Sequence, residues 1–94
     1  MRITKNEQQV IRQAITAIDP NADIYLFGSK ADDHARGGDI DLLVISRTIN
    51  LMDKLAVLAK LHQHLGDQKI DLAVFPDFSK PFARIARQNS ILIP

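Results

Sequence analysis

The sequence has no cysteine, a formal net charge of only +1 and no long apolar run among its 94 residues. Without cysteine there is no disulfide, no thiolate zinc site and no cysteine nucleophile. The small net charge gives no bulk electrostatic attraction for nucleic acid. No stretch approaches the roughly 18 apolar residues that a membrane span requires, and the N-terminus lacks the apolar run of a signal peptide. These absences predict a soluble, cytoplasmic protein that makes no membrane contact.

What is present is the composition of an ordinary globular domain. Hydrophobic residues make up 46% of the chain and charged residues 24%, which is typical of folded proteins. The sequence shows no internal repeat, linker or low-complexity segment, so we expect residues 1–94 to form a single domain. That size is below the usual size of an enzyme with separate lobes for two substrates. A second substrate is therefore expected to depend on a partner.

Capping signals predict two long helices. Thr4 and Glu7 form a capping box, which predicts a helix from about residue 5 that stops before Pro20. Asn50 as N-cap and Gly66 as stop predict a second helix between them. The residues expected to face the core are Ile11, Ala14, Ile15 and Ile18 in the first helix and Leu51, Leu55, Leu58 and Leu65 in the second.

Apolar runs at residues 24–27, 39–45 and 70–75 predict three short strands. Residues 30–38 suit a short helical turn followed by a loop, and Pro81 opens a last helix that runs to about residue 89. The apolar tail, residues 91–93, has no clear assignment. It is expected either to pack back on the core or to meet another chain.

The predicted fold class is α/β of the α+β type, with element order α-β-α-β-α-β-α around a small three-stranded mixed sheet. If the polar groups of all three strands converge, the first strand must run antiparallel to the second, and the second parallel to the third. A parallel pair needs a crossover connection, which the second long helix supplies.

Three acids and a Gly-Ser pair predict a metal-dependent phosphate site. Asp39 and Asp41 are two residues apart in a strand, so both side chains point to one face. Asp71 opens the third strand and is expected within about 5 Å of one of them. Such carboxylates repel one another unless a cation neutralises them, and Mg²⁺ prefers hard oxygen ligands. Gly28 and Ser29 end the first strand, where a backbone without Cβ and a hydroxyl suit a phosphate.

Each of these features has an ordinary explanation when taken alone. A Gly-Ser pair after a strand is usually a turn, and a single acid on a strand is more often structural. Two acids at a period of two on apolar strands, without a basic partner in the same strand, are poorly explained that way. The combination favours a functional site, near which Lys30 or Arg36 would add positive charge.

Other polar residues give weaker signals. His62 and His64 are two residues apart on a helix and face different directions, unlike a metal-binding pair. His34 is expected in a solvated loop. The last helix carries a basic stripe, which is more often a solvated face than a surface for RNA or an acidic partner, so direct nucleic-acid binding stays open. The stripe consists of Lys80, Arg84 and Arg87.

The pattern of Gly28-Ser29, a nine-residue gap, Asp39-Ile40-Asp41 and a later Asp71 on an apolar strand resembles the nucleotidyltransferase superfamily that includes DNA polymerase beta. The chain length and the run 39–44 are most similar to the minimal nucleotidyltransferases (MNT). The likeness is good over residues 24–44 and 70–75 and extends to the order of elements. A serine commonly precedes the first acid in this family, where this chain has Gly38.

This resemblance implies that Asp39, Asp41 and Asp71 bind two Mg²⁺ ions and that Gly28 and Ser29 hold a nucleoside triphosphate. It implies transfer of a nucleoside monophosphate, usually AMP from ATP, to a hydroxyl group with release of pyrophosphate. Asp71 would also help to deprotonate the acceptor. Many minimal members are antitoxins that add AMP to a tyrosine of a helical HEPN-domain ribonuclease, so a HEPN-type partner in a toxin–antitoxin system is the leading expectation.

Rival interpretations come from other classes. A non-catalytic module would keep the fold and only mask a partner, but such a module has no need of three acids. A glycosyltransferase Asp-x-Asp site needs a nucleotide-sugar domain far longer than this chain. An EF-hand is excluded because Leu42, Leu43 and Val44 supply no oxygen ligands after Asp41.

Overall fold

A computed structural model describes residues 1–32 and 38–94. Within these ranges the chain forms three α-helices, four strands and a 3-10 turn at Gly28–Ala31. The helices are α1 (Lys5–Thr16), α2 (Leu51–Leu65) and α3 (Pro81–Gln88), and the strands are β1 (Asp23–Phe27), β2 (Ile40–Ile45), β3 (Ile70–Phe75) and β4 (Ile91–Leu92). None of the helices in this part of the chain combines the length and apolar character needed to cross a membrane.

Reciprocal caps fix the first turns of α1 and α2. Thr4 Oγ1 accepts from the Glu7 backbone N–H (3.0 Å), and the Glu7 carboxylate accepts from the Thr4 N–H (2.8 Å). Asn50 and Asp53 exchange the same two bonds at the start of α2 (2.8 and 3.1 Å). Each box satisfies two backbone donors that a helix N-terminus otherwise leaves unpaired. The predicted bounds of α2 and β3 are confirmed, and α1 ends at Thr16, earlier than its proline signal.

The strands form one mixed sheet in the order β3-β2-β1-β4. β1 pairs antiparallel with β2, and β2 pairs parallel with β3 across the α2 crossover, which confirms the predicted directions. The predicted three-stranded sheet was one strand short. Ile91 and Leu92 pair antiparallel with β1, and the Ile93 N–H donates to the Ile24 carbonyl (2.8 Å). A strand of two residues is too short to show the alternation of apolar and polar residues that predicts a strand. Residues 91 and 92 form a strand because the edge of β1 is available for pairing.

The two faces of the sheet are covered differently. Helices α1 and α2 bury one face in the main core, whereas α3 covers the other through Ala83 and Ala86, which pack on Leu43. The main core includes Ile11, Ile15, Ile24, Leu26, Ile40, Leu42, Val44, Val57, Leu61, Ile70 and Leu72. Because side chains alternate along a strand, Asp41 shares the α3 face with Leu43. The predicted acids therefore lie on the thinly covered side of the sheet.

The core-facing side of α2 differs from the predicted one. Leu51 and Leu55 are 68% and 51% exposed, whereas Val57 and Leu61 are buried. Leucine and alanine occur on several sides of this helix, so leucine spacing alone fits more than one face. The contact with the sheet selects the face through Val57 and Leu61. The other predicted core residues, Leu58 and Leu65, lie at the margin of the core.

We predict that Leu61→Ala lowers the free energy of unfolding by about 2–5 kcal/mol, because it removes a fully buried side chain and leaves a cavity. Leu55→Ala deletes the same atoms from the exposed face of the same helix and should change that free energy by no more than about 0.5 kcal/mol. Urea unfolding of both variants measures the two values. Equal losses would contradict the assignment of the buried face.

Candidate functional site

A pair of neighbouring carboxylates lies at the centre of the candidate site. The parallel register of β2 and β3 sets Asp41 directly beside Asp71, and adjacent strands are about 5 Å apart. Asp41 is partly buried and Asp71 is exposed. The structure thus brings together two of the three acids that the sequence singles out, with Asp71 open to solvent.

The third acid, Asp39, precedes β2 and points to a different partner. Its carboxylate lies 3.7 Å from Lys69 Nζ. No group of three or more His, Cys, Asp or Glu side chains in the described ranges is arranged so that it could hold a metal ion as it stands. Sequence reasoning did not assign a role to Lys69, although the signal was available. In a parallel register that pairs residue 41 with residue 71, residue 39 falls opposite residue 69.

The environment of Asp41 disfavours its charged form. Desolvation by burial is the largest cause, followed by hydrogen bonding to Asp71 and by the negative charges of Asp71 and Asp39. Together they raise the pKa of Asp41 from 3.8 to about 6, and the positive charge of Lys69 offsets only part of this effect. A carboxyl group with such a pKa, partly buried against a second acid, is typical of functional sites.

The turn after β1 lies directly against these acids. Gly28 has φ of +72°, and a Cβ at this position would collide with Asp41 Oδ2. Gly38 has φ of +93°, and a Cβ there would collide with Ser29 Oγ. Both positions therefore need glycine for conformation and for space. Gly28 and Ser29, predicted as a phosphate cradle, lie over the start of β2 and close to Asp41.

Arg2 fixes this turn from the N-terminal segment. Its guanidinium donates to the carbonyls of Ser29 (2.9 Å) and Asp32 (3.0 Å), and its backbone N–H donates to the Lys30 carbonyl (2.7 Å). Sequence reasoning missed Arg2, because nothing local marks a contact between residues about 30 positions apart. The charge of Lys30 acts on Glu7 of α1, and Arg36 and His34 lie outside the described residues.

Two concave surfaces flank the acids. A cavity of about 710 Å³ opens beside Gly28, and a groove of about 250 Å³ contains Asp71. Phe27 and Phe82 line both, with their ring centroids 6.1 Å apart in an edge-to-face contact. The cavity has the size of a small-molecule site. Its other lining residues are Ala31, Asp32, Ile85, Ala86, Asn89 and Ser90.

The basic stripe of α3 is largely engaged within the domain. Arg84 donates to the carbonyls of Phe78 (3.0 Å) and Ser79 (2.9 Å), and the Arg87 guanidinium lies 5.6 Å from the ring centres of Tyr25 and Phe78. These contacts hold the segment before α3 onto the sheet. Two of the three charges of the stripe thus have structural partners. The histidines of α2, His62 and His64, are both exposed.

A family model described as the nucleotidyltransferase domain matches residues 9–93. The match spans all four strands, the turn at Gly28 and the three acids. The chain belongs to the nucleotidyltransferase domain family. The predicted superfamily and fold are thereby confirmed. A comparison with curated proteins gives no match.

The acids of this nucleotidyltransferase domain fit a divalent cation such as Mg²⁺ by the chemistry of their donor atoms. Asp41 and Asp71 offer hard carboxylate oxygens that already lie side by side and repel each other. Asp39 is on the same side of β2 and holds only a partly exposed ion pair with Lys69, which is a weak interaction. A cation would remove the repulsion, and Asp39 would exchange one positive partner for another.

We predict that Asp41→Asn stabilises the metal-free protein at neutral pH. Because the pKa of Asp41 is raised to about 6 in the folded state, its ionised form costs folding free energy above that pH and nothing below its ordinary value of 3.8. The free energy of unfolding of Asp41→Asn should exceed that of the wild type by an amount that grows between pH 4 and pH 7 to about 1 kcal/mol. This value is small because solvent screens a partly exposed charge. Urea unfolding in EDTA at each pH measures it.

Asp77→Asn is the matched control for this titration. Hydrogen bonds from Ser79 and the charge of Arg47 lower the pKa of Asp77. Its ionised form therefore adds stability above its ordinary pKa, and that stability is lost as pH falls. Asp77→Asn should thus lower the free energy of unfolding at neutral pH, whereas Asp41→Asn should raise it. The same sign for both variants would contradict the site electrostatics.

Proposed function

We propose that this domain transfers a nucleoside monophosphate, AMP from ATP, to a hydroxyl acceptor with the help of Mg²⁺, and that Asp39, Asp41 and Asp71 are the residues that would hold the metal. The observation that carries the proposal is the pair of Asp41 and Asp71, of which Asp41 lies against Gly28, a residue that lines a cavity of about 710 Å³. Acids beside a glycine turn and a small-molecule cavity suit a triphosphate.

The cavity provides the parts that a nucleotide needs. Gly28 and Ser29 would contact the triphosphate, since a backbone without Cβ and a hydroxyl donor allow close approach to an anion. Phe82 and Ile85 are 50% and 65% exposed on the cavity wall and offer apolar surface to a purine ring. Asn89 lies on the same wall, where its amide can hydrogen-bond to the edge of the base.

The reaction forms one bond and breaks one at the α-phosphorus of ATP. The acceptor oxygen bonds to that phosphorus, and the bond to the bridging oxygen of the leaving pyrophosphate breaks. Asp71 is exposed and would take the acceptor proton. Asp39, Asp41 and Asp71 would hold Mg²⁺, two ions by family resemblance, which supplies charge stabilisation for the acceptor oxygen and the leaving group.

We predict that α-labelled ATP, but not γ-labelled ATP, transfers its label to an acceptor in the presence of Mg²⁺. EDTA should abolish the transfer, and Asp41→Ala should lower it at least about 100-fold, because it removes charge stabilisation of the reacting phosphate. Asp23→Ala is the matched control, since Asp23 is an exposed acid at the far end of β1. Transfer by Asp41→Ala at the wild-type rate would contradict the site.

We further propose that the protein is a minimal nucleotidyltransferase of the cytoplasm that acts as the antitoxin of a HEPN-type ribonuclease. The resemblance of the run 39–44 to that group supports this role. Exposed apolar side chains on α2, α3 and β4 also support contact with a protein partner. These side chains are Leu51, Met52, Leu55, Phe82, Ile85 and Leu92, each at least half exposed.

For this role we predict that co-expression with a helical HEPN-type protein, sought among the products of neighbouring genes, yields AMP on a tyrosine of that protein. Peptide mass spectrometry locates the modification, and the Asp41→Ala variant controls for modification by other enzymes. A partner that co-purifies and is silenced equally by wild type and variant, without modification, would instead identify a non-catalytic module that masks its partner.

A further inference from the structure

The outer edge of β3 is open. In the described part of the chain β3 is the last strand of the sheet on its side. The carbonyls of Lys69 and Phe75 accept hydrogen bonds from the β2 side of the sheet (3.0 and 2.9 Å). Backbone groups of alternate residues in a strand point to opposite sides. The residues that direct their backbone N–H and C=O groups away from β2 are therefore Ile70, Leu72 and Val74.

This open edge lies in a groove that leads to the acid pair. One part, about 250 Å³, is lined by Asp71, by Leu58 of α2 and by Phe82 of α3. A second part, about 370 Å³, continues along Val74 between Leu51 of α2 and the end of β3. Lys54 lines both parts. The groove therefore combines outward-facing backbone groups, apolar side chains of α2 and α3 and an exposed acid.

Building on the proposed function, we infer that the acceptor is an extended polypeptide segment that pairs with the outer edge of β3 and carries a hydroxyl side chain to Asp71. An extended segment satisfies the outward backbone groups of β3, as in other cases of strand addition. Its alternate side chains then fall on the α3 face, where Asp71 lies. The hydroxyl thus reaches Asp71 from the groove, while the nucleotide cavity opens on the other side of Phe82.

A second copy of this chain fits the groove less well. Residues 69–75 contain no serine, threonine or tyrosine, so pairing between two β3 strands would fill the edge without bringing a hydroxyl to Asp71. Such pairing would also bring a second negative strand residue to the site. Tyr25, the chain's single tyrosine, lies on β1 against Arg87 and Phe78. A different polypeptide is the occupant that the chemistry selects.

The test uses a proline in β3 that removes one outward N–H. Proline is tolerated in edge strands where its N–H would face outward, so Val74→Pro removes a donor to the acceptor without removing a bond to β2. Val74→Ala is the matched control, because it shortens the same side chain and keeps the N–H. Circular dichroism and thermal unfolding establish that both variants fold.

The acceptors are short peptides with a central tyrosine, serine or threonine and randomised neighbours, and the acetylated amides of the same three amino acids. The readout is α-label transferred to peptide divided by α-label transferred to the small amide. Val74→Pro should lower this ratio about tenfold relative to wild type, in line with the loss of backbone hydrogen bonding, and Val74→Ala should leave it within about twofold. Hydrogen exchange should show that a labelled peptide protects the amides of Ile70, Leu72 and Val74.

The possible failures have different meanings. A ratio that Val74→Pro leaves unchanged, or transfer to the small amides without any transfer to peptides, overturns the inference and leaves the proposed function standing. Protection of the three amides that grows with protein concentration, without peptide, identifies a second copy as the occupant and also overturns the inference. A folded wild-type protein that transfers label to neither class, with ATP and Mg²⁺ present, overturns the proposed function and the inference together.

Discussion

The in-register parallel pairing of β2 with β3 determines where the acids of the candidate site lie. This register sets Asp41 beside Asp71 and Asp39 near Lys69. A parallel pair needs a crossover, and α2 supplies it on the face that α1 also covers. Helices α1 and α2 therefore lie on the same side of the sheet. The acids lie on the opposite side, which the short helix α3 covers. A slip of one residue in either strand would turn its acid into the core.

The same strands offset the cost of holding carboxylates together. The opposite faces of β2 and β3 bury Ile40, Leu42, Ile70 and Leu72. Full burial of one such side chain contributes about 1.5–3 kcal/mol, so these contacts together exceed the penalty of ionising Asp41 beside a second acid. Stability therefore comes mainly from the α1–α2 side, and the candidate site lies on the α3 side. This separation allows a small domain to carry a repulsive site without losing its fold.

The sequence predicts those features that depend on local signals or on convergence. Asn50 caps α2 where a capping residue is expected, and the need to bring the acids together gives the strand directions. It does not distinguish the face of Leu55 from that of Leu61, because the helix is apolar on more than one side and only the sheet selects between them. The contacts of Arg2 and Lys69 depend on packing between distant segments, which no local pattern records. The pairing of Asp41 with Asp71 is thus predictable from the sequence, whereas these supporting contacts are not.

The geometry of α3 explains how one short helix shapes both sides of the site. Its small residues Ala83 and Ala86 pack on the sheet, which allows the helix to approach the strands closely. Phe82 of the same helix is half exposed. Phe82 rests on phenylalanines of β1 and β3, with ring centroids 6.1 and 5.8 Å apart. The partition between the cavity at Gly28 and the groove at Asp71 is therefore fixed by the sheet itself. An in-line displacement needs its attacking and leaving groups on opposite sides of the reacting phosphorus. In the proposed transfer, the groove would admit the acceptor and the cavity the nucleotide, on the two sides of one supported aromatic ring.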